Sequence, residues 1–156
     1  MKRERVWKYT CDHCGKSGLS ASAMTQHETT CTANPLRTCR FCVANNGGND
    51  HQHEVAVLRA VLPEPDRARM IFATPNPGED FMSHAYIERE RIVAEYRDAL
   101  TAQVDAAIPA LRDAADGCPA CMLAAIRQSG LQGVTSWRYK EEKKAVWAVI
   151  NEANRE

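Results

Sequence analysis

Eight residues are suited to holding a soft metal ion, and their spacing sorts them into two sets. Cys11, Cys14, His27 and Cys31 follow the pattern Cys-x2-Cys-x12-His-x3-Cys, and two Cys-x-x-Cys pairs follow, Cys39 with Cys42 and Cys118 with Cys121. Zinc takes four donors in a tetrahedron, and thiolate with imidazole is its usual set. One site of three cysteines and a histidine, and one of four cysteines, would use all seven thiols of the chain. The expected cofactor is therefore Zn2+, at two sites.

The second site has a rival. Cys39 and Cys42 are far in sequence from Cys118 and Cys121, so their meeting requires the intervening chain to go out and return. Closing such a loop is favourable in principle. His51 and His53 could instead complete a set with Cys39 and Cys42, leaving Cys118 and Cys121 free. The segment Asp50-His51-Gln52-His53-Glu54 also reads as a polar helix start, its acids favouring the positive end of the dipole. Cys118-Pro119-Ala120-Cys121 resembles the redox motif of glutaredoxin-like proteins, where a helix N-terminus activates the first thiol. That fold needs a β-strand just before the motif, and here the preceding residues read as a helix end. No Gly-rich phosphate loop and no nucleophile–base pair is visible, so the chain is expected not to be an enzyme.

The elements that must position these donors read as mostly α. Residues 6–31 form a small ββα unit: Val6–Thr10 alternates as a strand, Gly15 suits positive φ after the knuckle, and Ser20 caps a helix reaching about Cys31. Asn34-Pro35 ends it. Asn49 or Asp50 is expected to cap a helix carrying Val55, Leu58, Val61 and Leu62, stopped by Pro63 and Pro65. Met70-Ile71-Phe72 is a short apolar anchor. Ile92, Tyr96, Leu100, Val104 and Ile108 recur every four residues and predict an amphipathic helix from about Glu79 to Ala107, with Pro109 kinking it or starting a separate short helix that stops near Gly117. A further helix runs from Met122 to about Gln128, with Gly130 at its C-terminal cap. Ser136 is expected to cap a last helix in which Val146, Val149, Ile150 and Ala153 share a face. Trp7, Trp137 and Trp147 read as core or interface anchors. The division is 1–34 for the metal-binding head and 35–156 for a helical domain clasped by the four-cysteine site.

Tyr9, Cys11, Cys14, Met24, His27 and Cys31 resemble the C2H2/C2HC zinc-finger family over residues 9–31, with Cys31 where a second histidine is more usual. Leu19 lies one place off that family's core aromatic. The positions that read bases in the family's DNA-binding members fall here on Ser20, Ser22, Ala23 and Gln26, of which Gln26 alone suits a base edge. The joint pattern also resembles, more loosely, small zinc-binding proteins of tailed bacteriophages, which implies a virion component or a phage-encoded accessory protein.

The 156 residues carry 20 basic and 20 acidic side chains. Through Cys42 there are seven basic against three acidic residues, giving +4, and the remainder carries −4. This basic head offers Lys2, Arg3, Arg5, Lys8 and Lys16 to phosphate. It equally offsets the negative charge of zinc–thiolate centres. A head of about forty residues cannot bury enough core without a metal or disulfides. No apolar run approaches the roughly 18 residues of a membrane span, and nothing after the charged N-terminus reads as a secretory signal. Paired cysteines without that signal point to a reducing, cytoplasmic compartment, or to a virion if the chain is phage-encoded. The expected function is a non-catalytic zinc-binding structural or interaction protein with protein partners in a macromolecular assembly. The alternative is a nucleic-acid-binding regulator using the basic head.

Overall fold

The computed structural model describes residues 7–45, 53–71, 80 and 83–153. Two short strands come first, β1 (Tyr9–Thr10) and β2 (Ser17–Gly18), paired antiparallel with Tyr9 opposite Gly18 and Thr10 opposite Ser17. Helix α1 (Ala21–Thr30) follows, and the Ser20 hydroxyl accepts from the Ala23 amide at 3.3 Å, the cap expected of a serine there. Then come α2 (Arg40–Asn45), α3 (Val55–Arg59), α4 (Arg67–Ile71), α5 (His84–Ala114), α6 (Pro119–Gln128) and α7 (Tyr139–Ala153). Mostly α with a two-stranded N-terminal sheet is the expected class.

Helix α6 is the hub. Apart from Leu123, every residue from Pro119 to Ile126 is buried, and the helix packs on α3, α5 and α7. Leu58, Leu62, Leu100, Val104, Ile108, Leu111, Leu131 and Val134 close around it in one continuous core that includes all four cysteines of the second set. A separate small core holds Cys11, Met24 and Cys31, with Ala33 against it. The two are joined by polar contacts: Arg127 Nη1 donates to Thr32 Oγ1 at 2.6 Å, and Gln128 Nε2 donates to the Thr32 and Asn34 carbonyls at 3.2 Å each.

Several elements differ from expectation, each for a physical reason. Helix α5 begins later, where the Ser83 hydroxyl accepts from the Tyr86 amide, and runs unbroken through Pro109. A proline there forfeits one backbone bond, yet Ile108 and Leu111 on either side are buried in the core, and their burial holds the helical path. The helix ends in two consecutive positive-φ residues, Asp116 (φ 45°) and Gly117 (φ 70°), with the Gly117 amide reaching back to the Arg112 carbonyl at 2.9 Å. Helix α3 starts at Val55 after Glu54, while Asn49 and Asp50 lie outside the described residues. His53 is held off that helix by side-chain contacts described below. Met70 packs on the core from α4, and Phe72 lies outside the described residues. Ser136 does not cap α7: its amide and the Thr135 hydroxyl both donate to Asp105 of α5. Val149 is 67% exposed, so the apolar face foreseen for α7 is only partly covered. Trp147 meets Phe41 with ring centroids 5.1 Å apart and planes tilted by 49°, whereas Trp7 is 81% and Leu19 70% exposed and neither serves a core.

Candidate metal centres

The first cluster is assembled locally. The turn after β1 brings Cys11 and Cys14 together: the Gly15 amide donates to the Cys11 carbonyl at 2.9 Å, and the Cys11 amide to the Lys16 carbonyl at 2.8 Å. Gly15 sits at φ 70°, a conformation costly for other residues. His27 and Cys31 lie one helical turn apart and so face the same way. The four donor atoms lie within 4.8 Å of one another, with Cys14 Sγ 3.2 Å from His27 Nε2. Glu28 braces the knuckle from outside by accepting from the Asp12 amide at 3.1 Å. Cys11 and Cys31 are buried and Cys14 is exposed. A hydrogen bond with the Lys16 backbone is the main cause that draws the Cys14 thiol down to about 7, whereas burial pushes Cys31 up.

The second cluster is assembled over a long range. Cys39 precedes α2 and Cys42 lies within it; Cys118 is the N-terminal cap of α6, Pro119 its first residue, and Cys121 sits in its first turn. Their four sulfurs also lie within 4.8 Å of one another. Cys39 is 3.5 Å from Cys118, and Cys42 is 3.6 Å from Cys118 and 3.5 Å from Cys121. A disulfide needs about 2.05 Å, and none of the seven cysteines forms one. A tetrahedron with metal–sulfur bonds of about 2.3 Å has sulfur–sulfur edges of about 3.8 Å. The spacing and the donor chemistry therefore fit a metal ion, as they do at the first cluster.

Four buried thiols this close cannot all ionise beside one another without a cation. Hydrogen bonds from Cys118 and then Cys121 hold the Cys39 thiol far below its usual range. Those to Cys121 and Cys39 hold Cys118 far above it. Cys121, hydrogen-bonded first of all with Cys118, comes down to about 6. A divalent ion held by these four sulfurs would replace shared protons with metal–sulfur bonds, so its uptake would release protons.

Two groups beyond the four sulfurs touch this cluster. Arg37 points its Nη1 at Cys121 Sγ, 3.6 Å away. His53 Nδ1 lies 3.3 Å from Cys42 Sγ, and its Nε2 lies 3.0 Å from Asp116 Oδ2. Burial acts to lower the His53 pKa, but the contacts with Asp116 and Cys121 outweigh it and the net direction is up. Thus His53, one of the rival ligands, lies at the edge of a set closed by Cys118 and Cys121, and its partner His51 lies outside the described residues. The only sequence signal for His53 was its place in that rival set. Arg37 and Asp116 gave none, because the contacts span 84 and 63 positions.

Both thiols of the Cys118–Cys121 motif are buried and follow the end of α5, not a strand. On the head, Lys8, Lys16 and Gln26 are exposed, while Lys2, Arg3 and Arg5 lie outside the described residues. No helix among the described residues is long and apolar enough to cross a membrane. Compared with protein-family models, with curated proteins and with solved structures, the chain matches none.

Proposed function

We propose that this chain is a non-catalytic zinc protein: a C2HC finger joined to a helical body whose two ends are clasped by a four-thiolate zinc centre, serving as a binding component of a macromolecular assembly. The observation that carries the reading is that every cysteine, with His27, falls into one of two four-donor clusters. Catalytic zinc keeps a coordination position for water or substrate, and structural zinc takes four protein donors. Three- and four-thiolate tetrahedra favour zinc over the harder divalent ions. An interaction role draws support from side chains left uncovered on the body, Ile87 and Ile92 on α5 and Val149 on α7. The partner is a protein within a cytoplasmic assembly, or within a virion if the bacteriophage resemblance holds.

The runner-up is a nucleic-acid-binding regulator, favoured by the exposure of Lys8, Lys16 and Gln26 on one small module. A lone finger covers about three base pairs, and the remaining helix positions offer only Ser20, Ser22 and Ala23. Ser20 is already engaged as a cap.

Metal content measured by mass spectrometry tests the main reading. The native protein should carry two zinc ions, and Cys39→Ser and Cys118→Ser should each carry one. A single ion in the native protein, or two ions retained in Cys118→Ser, would overturn the four-thiolate clasp.

A further inference from the structure

Arg37 is the one charged residue buried among the described residues, at 4% exposure. It has no carboxylate partner there. Its Nη1 faces Cys121 Sγ at 3.6 Å, and its Nε is buried without a hydrogen-bond partner. A guanidinium removed from water is strongly disfavoured unless an anion sits beside it. A thiol that keeps its proton supplies no such anion. Four thiolates around a divalent ion carry a net charge of about −2, which a permanent cation halves.

Resting on the zinc reading above, we propose that Arg37 is the charge-compensating positioning residue of the four-cysteine centre, placing its guanidinium beside the Cys121 sulfur and stabilising the metal-loaded form. Its place is set from the head side. The Arg37 amide donates to the Asn34 carbonyl at 3.3 Å, and the next amide, Thr38, donates to Thr29 of α1 at 2.7 Å. The backbone that delivers the guanidinium is thus pinned to the end of α1, while the sulfur it faces belongs to α6. Arginine suits the task because its charge is permanent, weakly hydrated and carried on a rigid planar fork. The charge serves the centre in a way that a packing role would not.

The experiment uses the full zinc-loaded chain with Arg37→Met, which keeps the bulk and removes the charge, and Arg37→Lys, which keeps the charge and loses the fork. Zinc affinity is measured by chelator competition, and the thiolate-to-cobalt charge-transfer band is recorded after Co2+ substitution. In Arg37→Met, the ion that Cys39→Ser lacks should be held about 10- to 100-fold more weakly and the band should shift, while the other ion keeps its native affinity. Arg37→Lys should recover part of both. Affinities in Arg37→Met within twofold of native, with an unmoved band, would overturn the proposal. If Arg37→Met does not fold, Arg37→Lys decides: a second ion held, more weakly than native, supports the role of charge, and loss of that ion overturns it. A native protein that binds fewer than two ions would fail the zinc reading itself, before any variant is compared.

Discussion

Arg112 of α5 grips Glu142 of α7 through two hydrogen bonds, Nε to Oε1 at 2.8 Å and Nη2 to Oε2 at 3.1 Å. The Trp137 indole N–H adds a third bond to the same carboxylate, at 3.3 Å. The contact fixes the last helix across the one that carries the central core residues.

Arg112, chiefly by its hydrogen bond, holds the Glu142 carboxyl below its ordinary value of 4.5. A lowered folded-state value means the pair contributes stability above pH 4.5 and loses it as pH falls through the folded value. Glu142→Gln should cost about 1 kcal/mol at neutral pH. In denaturant titrations the gap between variant and native protein should close below pH 4.5. A gap that stays constant as pH falls below 4.5 and on through the folded value would show that the ion pair contributes nothing.

Chelation should affect the two halves differently. Among its described residues the head buries only Cys11, Met24 and Cys31 with Ala33 beside them, too little to fold alone without metal. Stripping the protein should abolish the circular-dichroism signal of α1 while a reduced helical signal from the body persists. Amide exchange that leaves residues 21–30 protected after stripping would contradict this.

Leu131 is completely buried against α6. Leu131→Ala should lower stability by about 2–5 kcal/mol and leave two ions per chain. A loss of one ion would mean that core packing, not the four sulfurs, decides whether the second centre forms.

Binding to DNA should be weak and non-specific. Lys8→Ala/Lys16→Ala should lower it equally for unrelated sequences, with a smaller salt slope. A sequence preference that Gln26→Ala removes would favour the regulator reading instead.

The local features of the site were legible because a single turn determines them. The ligand spacing from Cys11 to Cys31, the positive φ of Gly15 and the Ser20 cap each depend on neighbours a few residues away, and each appears as expected. The pairing of Cys39 and Cys42 with Cys118 and Cys121 was legible only through the count of thiols. The course of α5 past Pro109 was not, because burial of Ile108 and Leu111 outweighs a local breaker and depends on the whole core. Arg37 entered only the tally of seven basic residues through Cys42, and its burial depends on the return of α6. The late start of α3 has the same origin, since His53 is drawn to groups remote in sequence.

The proposed clasp would also set an order of assembly during synthesis. The first cluster can gather as soon as its own short segment has left the ribosome, but Cys39 must wait for Cys118, 79 positions later. At bacterial-to-eukaryotic elongation speeds that is on the order of 4–16 s. For that interval Cys39 and Cys42 are a half-filled pair of thiols on a nascent chain, open to oxidation or to a wrong ion.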